Sequence, residues 1–172
     1  MTTSSEQAAA IRSPTTAIAA DYLMTLHAPG DPPLMIDPAL TIYRTGTDGW
    51  VAGPRLKGRI LQPSCDWLQV TPQSVLKVDV RMILALDTDK ADEPALVYVS
   101  YGGVIDMQPD VFARLQQGEQ LTAADLYFVI APSFRTAHAD YLWLNRLQAI
   151  GRMTALQFGA GSFVRYEIFA VT

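Results

Sequence analysis

Short apolar or alternating runs, each strand-sized and separated by turn residues, mostly Pro and Gly, follow one another through most of this chain. The most regular is residues 75–86. Its period of two places Lys77, Asp79, Arg81 and Ile83 on one face and Val78, Val80, Met82 and Leu84 on the other. Nine further candidates are 22–28, 40–44, 49–51, 58–61, 66–70, 95–101, 126–131, 141–150 and 162–171. So many short strands with turn residues between them predict an antiparallel all-β barrel or sandwich. The alternation of helix and strand that a parallel sheet requires is missing.

One helix interrupts the series, at residues 109–117. Pro109 suits a first turn, Val111, Phe112 and Leu115 share a face, and Gly118 is placed as a left-handed terminator. Residues 1–20, rich in Ser, Thr and Ala, read as an N-terminal arm, with Ile11 and Ile18 as the residues that could dock over a pocket mouth. Residues 21–172 read as one domain. At 172 residues a chain buries roughly two-thirds of its unfolded surface, enough for a core without staples.

Charge and cysteine usage narrow the partners. A net charge of −4 without a dense Lys/Arg stretch argues against nucleic acid. No apolar run approaches the roughly twenty residues of a membrane-spanning helix. Cys65 is the sole cysteine, and residues 1–10 lack a basic and an apolar leader region, so the protein is expected in the cytoplasm. A homodimer is the default assembly for a sheet protein with exposed edges.

The common chemical signatures are missing from the sequence. His27 and His138 lie far apart and Cys65 has no partner thiol, so no metal site is expected. The acidic run 87–92 lacks the central glycine and terminal glutamate of a calcium loop and reads as a solvated turn. There is no nucleophile elbow, phosphate loop or dinucleotide fingerprint, and no cofactor is expected. What remains is the charge that interrupts the strands: Asp79 and Arg81 in 75–86, Arg55 and Lys57 in 53–58, and Tyr141, Trp143 and Asn145 on one side of 141–148. The default reading of such faces is that they look at water while the apolar faces make the core. The functional reading has them lining a pocket.

The strings Gly53-Pro54-Arg55-Leu56-Lys57-Gly58, Asp66-Trp67, Asp79-Val80-Arg81, Val97-Tyr98-Val99, Leu126-Tyr127-Phe128, Tyr141-Leu142-Trp143-Leu144-Asn145-Arg146 and Tyr166-Glu167 occur in that order. Together they resemble the family called domain of unknown function 3237, the UPF0311-like proteins, over residue 21 to the end. The chain departs from the family pattern at Gln62-Pro63-Ser64-Cys65, where a glycine-rich turn is usual. The resemblance implies a calycin- or lipocalin-like antiparallel barrel around a cavity, with polar strand residues turned toward it. On that basis Asp79, Arg81, Tyr98 and Tyr127 are candidate catalytic residues, and Arg55, Lys57, Trp143 and Asn145 candidate substrate-binding residues. The expected function is a cofactor-independent cyclase or isomerase acting by acid/base chemistry on an apolar, carbonyl-bearing small molecule, with Asp79 as base. The alternative is a barrel that binds a small molecule without turnover.

Overall fold

A computed structural model describes residues 17–73, 75–90 and 92–172; residues 1–16, most of the expected arm, lie outside the described residues. In chain order the elements are β1 (Ala20–Pro29), β2 (Leu34–Asp37), β3 (Leu40–Arg44), β4 (Trp50–Ala52), β5 (Lys57–Val70), β6 (Leu76–Leu86), β7 (Ala95–Asp106), α1 (Pro109–Gln116), β8 (Leu121–Thr122), β9 (Tyr127–Arg135), a 3₁₀ segment (Ala139–Arg146), β10 (Ala149–Gln157) and β11 (Phe163–Val171). Every strand pairing is antiparallel. The ring β5-β4-β1-β11-β10-β9-β7-β6 closes through the β5–β6 ladder into an eight-stranded barrel. The expected all-β barrel with one short helix is what the chain forms.

Strand β5 is long enough to serve two partners on one side. Its first residues, Lys57–Arg59, pair with β4, and Cys65–Gln69 pair with β3, which carries β2 as an outer edge. Residues 58–61 and 66–70, expected as separate strands, are therefore one. The Gln62-Pro63-Ser64 stretch between them is a bulge, since Leu61 pairs with Ile83 and Cys65 already pairs with Arg81. Side chains supply the backbone bonds the bulge interrupts. Ser64 Oγ donates to the Leu61 carbonyl at 2.7 Å and accepts the Ile83 N–H at 3.1 Å. The Gln62 amide donates to the Thr45 carbonyl and accepts the Ser64 N–H.

A second correction concerns residues 141–150. They alternate like a strand, but residues 139–146 form the 3₁₀ segment and β10 begins only at Ala149. Tyr141 and Leu144 are the buried pair, three residues apart, which is the 3₁₀ repeat. Tyr141 donates its hydroxyl to the Asp87 carbonyl at 2.5 Å, and the Asn145 amide holds the Thr136 N–H and carbonyl at 2.9 and 2.8 Å. These side chains satisfy backbone groups that a strand would have paired in a ladder. The helix is found as expected: Pro109 opens it, Val111 and Leu115 are buried, and Gly118 follows at φ 84°.

The barrel interior is divided along its axis. At one end Leu84, Leu86, Val97, Leu26, Met153 and Ile168 are buried and fill the lumen. Toward the other end the inward residues of β6, Leu76, Val78, Val80 and Met82, line an open space. Phe112 of α1, Met107 and the β2–β3 hairpin stand around the mouth of that space.

Candidate functional site

The space is a cavity of about 330 Å³, within the range that holds a small molecule. Its wall is mainly aliphatic and aromatic: Leu68, Val78, Val80, Ile105, Phe128 and Leu156 contribute. Polar groups enter from four strands. Tyr43 comes from β3, Asp66 from β5, Tyr101 from β7 and Tyr166 from β11. Asp66 shares its parity with the half-buried Leu68, Tyr101 with the buried Val99 and Tyr166 with the buried Ile168, so the same alternation turns these three inward, while Tyr43 turns inward with Thr41 and Thr45. Arg44, Thr45 and Ser162 also line the cavity.

Asp66 stands apart electrostatically. Its Oδ1 is buried without a hydrogen-bond partner among the described residues. Burial pushes its carboxyl up to about 7, the Asp79 backbone N–H opposes that rise, and the Asp79 charge adds to it. Tyr101 and Tyr166 are buried, edge to face, with ring centroids 6.1 Å apart. Burial raises both phenols above their usual range, and the Asp66 charge raises them further. Tyr43 is raised by the same two causes in the same order, and its ring stacks on Phe158 at 6.2 Å. The arrangement is a carboxyl that changes charge near neutrality, facing phenols that stay protonated and can donate hydrogen bonds.

The expected site residues are placed elsewhere. None of the eight lines the cavity. Asp79 and Arg81 form an ion pair at 3.1 Å with both side chains about half exposed, 53% and 51%. Their expected inward orientation is corrected: in a closed barrel the apolar face of β6 turns inward and the charged face turns to water. They share a shallow outer trough with Tyr98, Ser100, Gly102 and Ser133. Tyr127 is exposed at the start of β9 and lies outside that trough. The Arg55 guanidinium sits over the Trp143 ring, 3.9 Å from its centroid, and Lys57 is exposed at the start of β5. Asn145 is occupied with the Thr136 backbone. Two groups of the expected residues thus come together, Asp79–Arg81–Tyr98 and Arg55–Trp143, both on the outside.

Sequence reasoning passed over Asp66, Tyr43 and Tyr101 as site residues. The available signal was Asp66 itself, an acid on the same face as Leu68 and Val70. No group of three or more His, Cys, Asp or Glu among the described residues could hold a metal ion. No helix among them is long and apolar enough to cross a membrane.

The model of the family described as "Protein of unknown function (DUF3237)" matches residues 18–171. The chain belongs to the DUF3237 family. A curated relative, UPF0311 protein RPA1785 of Rhodopseudomonas palustris, is 27% identical over 103 residues, which is 60% of this chain and 64% of that protein. The match thus spans less than two thirds of the relative's length. The crystal structure of RPA1785, a conserved protein of unknown function, has a TM-score of 0.78 at 21% identity and covers 92% of this chain and all of that one. A β-barrel-like protein of Acinetobacter baumannii has a TM-score of 0.70 at 25% identity over 94% and 99% of the two chains. An enzyme from Penicillium herquei shares the fold, with a TM-score of 0.63 at 16% identity over 93% and 98%. This DUF3237 member therefore carries the family barrel, with Asp66 in its cavity.

Proposed function

We propose that this DUF3237 barrel is a cofactor-independent acid/base enzyme acting on an apolar, carbonyl-bearing small molecule inside the cavity. The observation that carries the proposal is Asp66, a carboxyl pushed up to about 7 among phenols in a largely apolar space. The role first given to Asp79 passes to Asp66, because Asp79 lies on the outer face. A general base works best when its pKa lies near the working pH, since it is then both available and strong enough to accept a proton.

The chemistry follows from the geometry. Ionised Asp66 removes a proton from the carbon beside the substrate carbonyl, and the C–H electron pair moves into an enolate. Tyr101 or Tyr166, kept protonated by burial and by the Asp66 charge, donates a hydrogen bond to the developing oxyanion. Where a C=C bond adjoins the α-carbon the enolate is a dienolate, and protonated Asp66 returns its proton to the γ-carbon as the double bond shifts, which is an isomerisation; where the substrate has a second carbonyl, the enolate carbon bonds to it and Asp66 protonates the alkoxide that forms, which is a ring closure. General acid/base catalysis of this kind is worth roughly 100- to 10,000-fold, and holding a reactive conformer adds to it. The neighbour from Penicillium herquei, described as an enzyme, is consistent with a barrel of this kind hosting chemistry.

The test uses 2-tetralone in deuterium oxide, with exchange of its α-hydrogens followed by proton NMR. The wild-type protein is expected to accelerate exchange over buffer, and Asp66→Asn to lose that acceleration by roughly a hundredfold. Equal acceleration by both proteins, or none by the wild type with 2-tetralone and related ketones, contradicts the proposal. Binding without exchange favours the alternative, a small-molecule carrier.

A further inference from the structure

The cavity has an unusual charge composition for a space so apolar. Two residues of its lining have an acidic or basic side chain, Asp66 and Arg44. The Arg44 guanidinium is about half exposed and 3.7 Å from the Asp31 carboxylate, so its charge is shared with another acid and with water. Among the described residues Asp66 forms no ion pair. Tyr43 from β3, Tyr101 from β7 and Tyr166 from β11 line the cavity with it, while Asp79, on the outer face of β6 and paired with Arg81 at 3.1 Å, acts on it only from behind the strand. The three groups inside are phenols, neutral while protonated, so the interior potential is negative once Asp66 ionises.

The same lining is rich in aromatic rings. Tyr166 is met edge to face by Phe128, with centroids 5.3 Å apart, and by Tyr101, while Phe158 stacks on Tyr43. Aromatic rings attract cations through the negative potential above their faces, most strongly where water is excluded. A lone carboxylate within such a wall is the composition that recognises an ammonium group. It is poor for an anion, which would meet the Asp66 charge while the Arg44 guanidinium is already shared with Asp31 and water.

We propose that the cavity is a binding site for an apolar ligand carrying a protonated amine, with the ammonium seated between the Asp66 carboxylate and the surrounding tyrosine and phenylalanine rings. This goes beyond the enzymatic reading and does not depend on turnover. An amine so placed occupies the base, so it would also act as a competitive inhibitor of proton transfer. Pairing also gives Asp66 the partner it lacks. Because only ionised Asp66 makes the pair, affinity should rise with pH up to about 7 and then level off, as long as the amine stays protonated.

The test is calorimetric titration with three probes of one shape: 2-aminotetralin, which is cationic, 2-tetralol, which is neutral, and tetralin-2-carboxylate, which is anionic. At pH 8 the amine should bind about tenfold or more tighter than the alcohol, and the carboxylate more weakly than either. Amine affinity should fall about tenfold from pH 7 to pH 5.5, while alcohol affinity stays constant. Asp66→Asn should remove both the preference and the pH dependence. Should that variant not fold, the wild-type pH series alone decides. Amine binding no tighter than that of the alcohol at pH 8, pH-independent amine binding, or no binding of the amine overturns the proposal. Proton exchange in 2-tetralone is a separate readout, so failure of the enzymatic reading leaves this one standing or falling on its own.

Discussion

Asp66 and Val80 stand opposite each other in the β5–β6 ladder and both turn into the barrel. The charged residues flanking Val80, Asp79 and Arg81, therefore turn outward. A carboxyl in the cavity and a carboxyl in water lie on adjacent strands, one residue out of step, and their expected behaviour differs accordingly.

Stability should depend on pH through Asp66. Burial pushes its carboxyl up to about 7 in the folded protein, above the ordinary carboxyl value of 3.8. A raised pKa means that its stabilising contribution is complete below the unfolded value and is lost as pH rises through about 7. The loss is on the order of 4 kcal/mol at most. Thermal melts at pH 5 and pH 8 should show wild type less stable at pH 8 on this account, with Asp66→Asn flattening the difference. An equal pH dependence in both proteins would contradict the assignment.

Asp79→Asn should behave as a surface substitution. Its partner Arg81 is half exposed, so water screens the pair, and removing it should cost under about 1 kcal/mol. Urea unfolding and 2-tetralone exchange should both stay near wild type. A large loss of exchange in Asp79→Asn would return the base to the outer trough.

The bulge in β5 should depend on one hydroxyl. Ser64, almost wholly buried, satisfies the Leu61 carbonyl and the Ile83 N–H. Ser64→Ala leaves both without that partner and should cost about 1–3 kcal/mol, read from the urea midpoint. A cost below about 0.5 kcal/mol would mean that water replaces the hydroxyl.

Gly103 lies on the inward face of β7 between Tyr101 and Ile105. A Cβ there would stand 2.7 Å from Ile130 Cγ2 and 2.8 Å from the Val129 carbonyl oxygen. Gly103→Ala should therefore destabilise by about 1–3 kcal/mol through overpacking, with backbone among the atoms that must move. Unchanged unfolding would show that the wall yields there.

The barrel was legible because alternation in residues 75–86 and its fellows is a local property, and so was α1, with Pro109 and Gly118 at its ends. The 3₁₀ segment was not. Its alternation imitates a strand, and what decides against one is the reach of Tyr141 to Asp87 and of Asn145 to Thr136, contacts that only the folded chain makes. The direction of the polar strand faces was misread for a related reason. Polar faces were taken to line the pocket, whereas in this barrel the apolar faces of the strands make both core and cavity. The informative polar residues are those that break an apolar face, as Asp66 does beside Leu68 and Val70, and as Tyr101 does after Val97 and Val99.

The most direct measurement is a carbon-13 NMR titration of the Asp66 carboxyl, assigned by its disappearance in Asp66→Asn. A midpoint at about pH 7 is expected, because burial without a counter-charge holds the group protonated. A midpoint near pH 4, the ordinary carboxylate value, would mean that the group is solvated or paired, and would contradict Asp66 as a base poised at neutrality.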